Sequence, residues 1–264
     1  MADFTAKDVQ SLRQATGAGM MDAKKALVEN NGDMDAATKW LREQGLAKAG
    51  SRTDRDNSQG SVAVTTSENV AAIVELKCET DFVAKSDQFT SLVQEIATLV
   101  AVKGEDAAAE KADAIDTLKV VLKEHIELGR VIRIEAADGN VIDSYIHRQD
   151  GRGVNGVIVE LAGGTAEIAH EVAVQVAFSK PAYLSRGDVP EAEVAEERQT
   201  LEGITRAEGK PEAAMEKIVE GRLTGWFKER VLLEQAYVKD EKQTITQLLG
   251  GATVVRFAQV VIGS

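Results

Sequence analysis

The apolar positions between residues 5 and 45 recur at spacings of three and four, which is the pattern of short amphipathic helices. Three such runs follow one another, separated by capping and turn signals. These signals are Thr5 with Asp8, Thr16 to Gly19, Met20 or Met21 as a helix start, Asn30 to Gly32, Asp33 as a cap, and Gly45 as a stop. A bundle of about 45 residues has a marginal core, so we expect it to dock on another part of the chain or to serve as a binding domain.

A polar stretch without periodicity follows from Leu46 to Gly60 and is predicted to be a linker. The hydrophobic pattern resumes beyond it and continues almost to the last residue. We therefore divide the chain into a three-helix domain with the start of the linker at 1–54, a first core half at 55–138 and a second core half at 139–264.

The two core halves repeat one design, an alternating β-hairpin followed by an amphipathic helix. The matching stretches are Gly60-x-Val62 with Gly139-x-Val141, Ile73-Val-Glu-Leu76 with Ile158-Val-Glu-Leu161, and Glu95-Ile-Ala97 with Glu171-Val-Ala173. Hairpins combined with separate helices predict an α+β fold whose core consists of two related halves.

The first half is longer than the second between its strand and its helix. Leu76 and Leu161 differ by 85 positions, whereas Glu95 and Glu171 differ by 76, so the excess is nine residues. This excess matches the length of Thr80 to Gln88. We interpret the stretch as an insertion that carries function, because recognition residues concentrate on connections over a rigid base. The alternative is simple drift in loop length between diverged repeats.

Phe82 lies inside this stretch, with carboxylates before and after it. The alternation of Val74, Leu76 and Cys78 predicts a half-buried strand before it, and a helix with Ser86 as its cap is predicted after it. A large apolar ring between a strand and a helix is suited to binding a partner. The alternative is a loop phenylalanine that folds back onto the core.

The remaining pattern predicts a helix from Ala114 to Leu128 and an alternating strand from Arg130 to Glu135. Two narrow apolar seams then meet at Gly209-Lys-Pro211, which predicts an antiparallel helical hairpin over about 188–226 that protrudes from the body. The apolar runs after Val231 are expected to complete the second half.

Composition restricts the classes of function. The net charge is −12, with 43 acidic against 31 basic residues, which argues against direct binding to nucleic acid. It favours a protein partner with positive patches, although solubility alone also explains an acidic surface. The sequence contains neither a signal-peptide pattern nor an apolar run long enough for a membrane span, so we expect a cytoplasmic protein that does not bind membranes.

Candidate catalytic chemistry is sparse. Cys78 is the single cysteine, and its inward position in a strand favours a small buried hydrophobe over a nucleophile. His125, His147 and His170 are scattered and match no metal-ligand spacing. The sequence also lacks a glycine-rich phosphate loop. We therefore expect neither an enzyme nor a nucleotide site of its own, and neither a metal nor a cofactor.

Two motifs together closely resemble the elongation factor Ts family. They are Leu12-Arg-x-x-Thr-Gly-Ala-Gly-Met-Met-Asp-x-Lys-Lys-Ala-Leu27 and Cys78-Glu-Thr-Asp-Phe-Val-Ala84. The resemblance continues through Ser179-Lys-Pro181, Gly209-Lys-Pro211 and Ile218-Val-Glu-Gly-Arg-Leu223, so it covers nearly the whole chain. It implies a UBA-like N-terminal domain, two related α+β halves and a protruding coiled coil.

The resemblance also implies a function. It implies a guanine nucleotide exchange factor that binds the GTPase elongation factor Tu and promotes GDP release by disrupting its magnesium and phosphate site. The residues implied to dislodge the magnesium ion are Thr80, Asp81, Phe82 and Val83. Met20 and Met21 are implied to make an N-terminal contact, for which core packing is the alternative, and His147 either contacts the partner or is structural. Two other classes stay open: a non-catalytic adaptor that binds through the three-helix domain, and an enzyme that uses Cys78.

Overall fold

Helices and strands alternate through the residues that the computed structural model describes, 4–50 and 52–264. The α-helices are α1 Ala6–Thr16, α2 Met20–Glu29, α3 Met34–Gly50, α4 Asp81–Ala84, α5 Asp87–Lys103, α6 Ala112–Leu122, α7 Ala166–Ser179, α8 Glu191–Ala207, α9 Glu212–Arg230 and α10 Ile245–Leu249. The strands are β1 Gln59–Ser67, β2 Val70–Cys78, β3 Glu127–Glu135, β4 Val141–Gln149, β5 Arg152–Ala162, β6 Ala236–Tyr237, β7 Asp240–Thr244 and β8 Thr253–Val261. Short 3₁₀ helices lie at Glu105–Lys111, Arg186–Asp188 and Leu232–Glu234. The predicted α+β class is confirmed.

The N-terminal domain consists of α1, α2 and α3, as the helical periodicity predicts. Thr5 and Asp8 form the expected capping box at the start of α1. The three helices enclose a small apolar core in which Leu12, Leu27 and Ala37 have no exposed surface. This core is small, so the domain depends on further contacts for its position on the molecule.

The predicted helix stop at Gly45 is wrong, because α3 continues to Gly50. Gly45 faces α6, and a Cβ atom at this position would lie 2.6 Å from Cγ1 of Val120. Glycine is therefore required here for the close approach of two helices. Arg42 of α3 also pairs with Asp113 of α6 at 2.7 Å. The first part of the predicted linker is thus helical, and α3 docks the N-terminal domain on the core.

The two core halves share one strand arrangement. The first sheet has the order β1-β2-β3 and the second sheet has the order β4-β5-β8, and every neighbouring pair is antiparallel. In each half a hairpin is followed by a helix, α5 or α7, and the third strand joins the sheet later in the chain. The prediction of two related halves is confirmed.

A buried glutamate marks the same position in each half. Glu75 of β2 and Glu160 of β5 are both 1% exposed. Glu75 pairs with Arg130 on the third strand of its sheet at 3.1 Å, and Glu160 pairs with Arg256 on the third strand of its own sheet at 2.7 Å. A buried carboxylate needs such a partner, so each pair secures the third strand of its sheet.

The two arginines also connect the halves reciprocally. Arg130 of the first sheet donates to the carbonyl of Val261 at the end of β8, at 2.6 Å. Arg256 of the second sheet donates to the carbonyl of Glu135 at the end of β3, at 2.7 Å. Each half therefore supplies the same donor to the same end of the other half, which is the contact pattern of a duplicated unit related by an approximate twofold axis.

The core has four layers, with the two sheets between α5 and α7. An apolar cluster between the sheets includes Val62, Ile73 and Ile158. Gly156 of β5 lies in this cluster, where a Cβ would be 2.8 Å from Cγ1 of Val62. The outer faces pack on α5 and α7 in two separate apolar clusters. This packing gives the connections at the sheet ends a rigid base.

Helices α8 and α9 form the predicted antiparallel hairpin. Their seam buries Met215, Val219 and Leu223 of α9. At the base, Phe227 and Val231 join an apolar cluster with Val189. The base is thus part of the body, while the seam beyond it is formed by the hairpin itself.

Candidate functional site

The stretch between β2 and α5 is a short helix on a fixed base. Residues 81–84 form α4, and Thr80 occupies its N-cap, where Oγ1 accepts a hydrogen bond from the Val83 N–H at 3.3 Å. Ser86 lies at the N-cap of α5 as expected, but its hydroxyl donates to the carbonyl of Val83 at 2.8 Å. The corresponding connection in the second half, residues 163–165, is shorter. Part of the sequence excess also lies in an earlier start of α5.

Phe82 points into solvent. Its side chain is 74% exposed, whereas Ala84 on the same short helix has no exposed surface and Val83 packs against the first apolar cluster. Phe89 fills the core beneath and has no exposed surface. The interpretation of Phe82 as a loop residue folded onto the core is therefore wrong. The single turn of α4 thus places Ala84 in the core and the ring of Phe82 in solvent.

Lys85 lies over this ring. Its Nζ is 4.5 Å from the ring centroid of Phe82 and 3.2 Å from Oδ2 of Asp81. The three side chains therefore form a small exposed group in which a cation is shared between a ring face and a carboxylate. Exposed pairs of this kind contribute about 0 to 1 kcal/mol each, so a partner can separate them at little cost.

The base of α4 is held from the connection between α6 and β3. The N–H groups of Glu79 and Thr80 donate to Oε2 of Glu124 at 3.0 and 3.1 Å, and the hydroxyl of Thr80 donates to Oε1 of the same carboxylate. The N–H of His125 in turn donates to Oε1 of Glu79 at 2.6 Å. Arg55, which precedes β1, reaches the Glu79 carboxylate at 3.3 Å. We call Glu79, Thr80, Glu124 and His125 the Glu124 cluster.

Sequence reasoning missed this cluster because it extended the helix of this region to Leu128. The helix α6 ends at Leu122, where Lys123 adopts a left-handed backbone with a φ of 60°, and β3 begins at Glu127. The polar run Lys123-Glu124-His125 interrupts the apolar periodicity. That interruption was the available signal for a helix end.

Met20 and Met21 are exposed at the start of α2, by 49% and 74%. Core packing, the alternative for these methionines, is therefore excluded. Gly19, the N-cap residue before them, lines a cavity with Lys123, the neighbour of Glu124. The start of α2 and the base of α4 thus both lie near the α6–β3 connection.

His147 is exposed on β4, next to a register shift between His147 and Arg148. It shares an open cavity with Phe178 of α7, whose side chain is 73% exposed. Phe178 is a second exposed aromatic residue, which the sequence pattern did not single out because it ends the apolar run Val172 to Phe178, interrupted only by Gln175.

The end of the core that carries α4 also carries His147. β2 ends at Cys78, opposite Gln59 at the start of β1. Arg152, at the start of β5, donates to Oε1 of Gln59 at 2.9 Å and to the carbonyl of Gly60 at 2.8 Å. Arg152 pairs in register with Gln149 at the end of β4. The predicted residues of the two halves are therefore brought to one end of the stacked sheets.

Cys78 is a buried structural residue. It has no exposed surface, and its thiol donates to the carbonyl of Thr80 at 3.2 Å. Burial, with the nearby carboxylate of Glu124, raises the pKa of Cys78 to about 12. The thiolate that a nucleophile requires is therefore scarce at neutral pH, which argues against Cys78 as a nucleophile.

Within residues 4–50 and 52–264, no group of three or more His, Cys, Asp or Glu side chains is arranged to hold a metal ion. Among the helices of the same ranges, none has the length and apolarity needed to cross a membrane.

Comparison with known proteins assigns the family. The profile of the family described as "Elongation factor TS" matches residues 79–264. The chain is 45% identical over 277 residues to elongation factor Ts of Acidothermus cellulolyticus, with 100% of this chain and 99% of the relative covered. It is 43% identical over 278 residues to the protein of the same name from Clavibacter michiganensis, with both chains covered to 100%. Elongation factor Ts of Mycobacterium ulcerans is 45% identical over 277 residues, with 100% of this chain and 99% of that relative covered.

These matches place the chain among the translation elongation factors. Since the profile covers more than half of the chain and the relatives cover all of it, the chain belongs to the elongation factor Ts family.

Proposed function

We propose that this protein is a guanine nucleotide exchange factor that binds the GTPase elongation factor Tu and accelerates release of its GDP. The observation that carries the proposal is the 74% exposed ring of Phe82 on a helical turn whose base is fixed to the core. An exposed aromatic ring on a rigid support is suited to enter a partner with little loss of conformational entropy.

The exchange step follows from differential binding. The partner exists in a nucleotide-bound state and in a state whose magnesium and phosphate coordination is broken, and a protein that binds the second state better shifts the equilibrium towards it. The coupling is reciprocal, so GDP in turn weakens the complex. Phe82 acts as the apolar wedge, and Asp81 places a negative charge near the metal site. Thr80 and Val83 hold the wedge by capping and packing.

The free energy that Phe82 can contribute by burial is smaller than the free energy that exchange requires. A shift of about 10⁴ requires about 5.5 kcal/mol of differential stabilisation. Burying one phenylalanine ring contributes about 1.5 to 3 kcal/mol. The wedge alone is therefore insufficient, and other contacts must contribute. We propose that Met20 and Met21 of the N-terminal domain and His147 of the second half provide such contacts.

The protein acts by binding in this proposal, without covalent chemistry, a cofactor or a nucleotide site of its own. Neither nucleic acid nor a membrane is required as a partner, and the complex acts in the cytoplasm. The adaptor alternative rests on the exposed methionines of the N-terminal domain alone, whereas the exchange-factor proposal also accounts for Phe82.

Release of fluorescently labelled GDP from elongation factor Tu tests the proposal. We expect a catalytic amount of this protein to accelerate release in the presence of excess unlabelled GDP. Phe82→Ala should reduce the acceleration while the variant stays folded. An unchanged release rate on addition of the wild-type protein, together with binding to elongation factor Tu, would favour the adaptor.

A further inference from the structure

Glu124 has no role in the exchange step proposed above, although it holds the start of the helix that carries Phe82. One carboxylate accepts three hydrogen bonds, from the N–H groups of Glu79 and Thr80 and from the hydroxyl of Thr80. Hydrogen bonds to a charged acceptor are about twice as strong as neutral ones. Thr80 is also the N-cap of α4, so the same residue that Glu124 holds begins the helical turn that carries Phe82.

We propose that Glu124 is a positioning residue for Phe82, acting through Thr80. The proposal rests on the proposed exchange function. Glu124 lies on the α6–β3 connection, 44 positions from Thr80 in the chain, so it fixes α4 from outside the segment itself. A ring that must enter a partner gains from a support that prevents α4 from pivoting, because ordering the segment at the moment of binding costs free energy.

The position of Glu124 makes its role separable from folding. Thr80 is exposed and Glu79 is half-buried, so water can satisfy their N–H groups when the carboxylate is removed. The apolar anchors of the segment, Val83 and Ala84, do not depend on Glu124. Loss of the carboxylate should therefore loosen the start of α4 and leave the core intact.

The N-terminal domain docks on α6, the helix that leads into this connection. Val120 lies against Gly45, and Val121 lies 3.5 Å from where a Cβ of Gly17 would be. Both valines are on the last turn of α6, before Lys123 and Glu124. Glu124 therefore fixes the wedge relative to the element on which the N-terminal domain docks.

Three substitutions in the full chain test this role. Glu124→Ala removes the acceptor. Glu124→Gln keeps a carbonyl oxygen for the two N–H groups and offers its amide to the hydroxyl of Thr80, so it should restore most of the contacts. Glu127→Ala is the matched control, since Glu127 is a nearby exposed carboxylate that accepts a hydrogen bond from Nδ2 of Asn57 at 3.0 Å and approaches the Glu124 cluster only at the ring of His125, at 4.0 Å.

The first measurement is amide hydrogen exchange of the protein without its partner. Glu124→Ala should accelerate exchange at Glu79, Thr80 and Val83 by about tenfold, because local opening governs exchange at such sites. Exchange of the strand amides of β2 should be unchanged. Glu124→Gln should approach the wild type, and Glu127→Ala should match it. Wild-type exchange at these three amides in Glu124→Ala would overturn the proposal.

The second measurement is GDP release from elongation factor Tu as a function of protein concentration. Glu124→Ala should lower the maximal rate by about tenfold, which corresponds to about 1.4 kcal/mol, with a smaller change in the half-saturating concentration. Glu124→Gln should recover most of the rate. A normal maximal rate in Glu124→Ala, despite faster amide exchange, would show that α4 needs no such support and would overturn the proposal.

The two measurements separate this role from the exchange function itself. If the wild-type protein did not accelerate GDP release, the exchange function would fail, and amide exchange would still decide whether Glu124 fixes α4. If Glu124→Ala lost its folded structure by circular dichroism, Glu124→Asp would replace it, since this variant keeps the charge, leaves the N-cap bond of Thr80 in place and withdraws the carboxylate by one methylene group. Unchanged amide exchange at Glu79 and Thr80 in Glu124→Asp would then count against the proposal.

Discussion

Phe82 and Phe89 lie on consecutive helices and occupy opposite environments, with 74% of the Phe82 side chain exposed and none of Phe89. The pair offers a matched test of whether Phe82 contributes to the fold. We expect Phe89→Ala to lower the free energy of unfolding by about 3 to 5 kcal/mol, because it leaves a cavity in the core. Phe82→Ala should change it by less than about 0.5 kcal/mol, as exposed positions do. Urea denaturation measures both, and a large loss in Phe82→Ala would contradict its exposed position.

Asp81 should act through charge at the magnesium site of the partner. Its pair with Lys85 is exposed and contributes little to the fold, so Asp81→Ala should leave stability almost unchanged. GDP release should be slower with this variant, and the defect should shrink when magnesium is chelated. Release rates with and without a chelator measure this. The double variant with Phe82→Ala should show a smaller loss than the sum of the single losses, because both residues act at one site. Strict additivity would indicate two independent actions.

The helical hairpin should be dispensable for the core. Replacing residues 191–225 with a short turn removes the seam of α8 and α9, including Leu223 of the base cluster, and keeps Val189, Phe227 and Val231 of that cluster. We expect a thermal transition close to that of the full chain. A more extensive removal that includes Phe227 should destabilise the second half by about 3 to 5 kcal/mol. Near-ultraviolet circular dichroism measures both, and a molten product from the shorter removal would show that the seam supports the body.

The N-terminal domain should contribute affinity to the complex more than exchange rate. A chain that begins at Thr53 retains Arg55 and its contact with Glu79, so its core should fold. We expect it to bind elongation factor Tu more weakly than the full chain. Gly45→Leu should have a similar effect, because the new side chain clashes with Val120 and undocks α3. Calorimetric titration measures both affinities, and equal affinity for all three proteins would remove the domain from the interface.

The Glu160 pair should make stability depend on pH. Burial opposes ionisation of Glu160, but hydrogen bonds from Asn140, Ala137 and Arg256 outweigh it and hold its pKa below the ordinary value of 4.5. A lowered pKa in the folded state means that the charged form stabilises the fold above pH 4.5, and that this contribution is lost as the pH falls through the folded pKa.

Glu160→Gln tests this dependence. The variant should cost about 1 to 3 kcal/mol at pH 7, and the cost should diminish as the pH falls below 4.5. Denaturant titrations over this range measure it, with the exposed residue Glu241 replaced by glutamine as the control. A cost that stays constant down to pH 3 would mean that the charge of Glu160 contributes nothing to the fold.

The sequence pattern predicted the elements whose signals are local. Helix caps such as Thr5, the alternating hairpins and the apolar seams of α8 and α9 depend on neighbouring residues, and the structure agrees with them. The exposure of Phe82 could only be a hypothesis, because one aromatic residue in a connection fits either a core or a surface. Positions that depend on distant contacts were misassigned. Gly45 has the pattern of a helix stop, and only its packing against Val120 explains why glycine lies inside α3.

The Glu124 cluster could not be predicted for the same reason. The residues that hold Thr80 are 44 positions away in the chain, and a single sequence contains no signal for such a pairing. Nor could the pattern show that Arg152 brings the ends of the two halves together, since its partners belong to β1. Neighbouring residues in the sequence were therefore enough to suggest Thr80 to Val83 as a site, whereas the contacts that hold this segment come from distant parts of the chain.

The two buried glutamate–arginine pairs also set the order in which the halves can be completed during synthesis. Glu75 meets Arg130 as soon as β3 has been made. Glu160 must wait for Arg256, because β8 follows α8 and α9 in the chain. A buried carboxylate without its partner costs about 3 to 5 kcal/mol, so the second sheet stays open until residues 253–261 are available. A nascent chain that stalls before β8 would thus present a finished first half beside an unfinished second half, which is the part that chaperones and proteases would recognise.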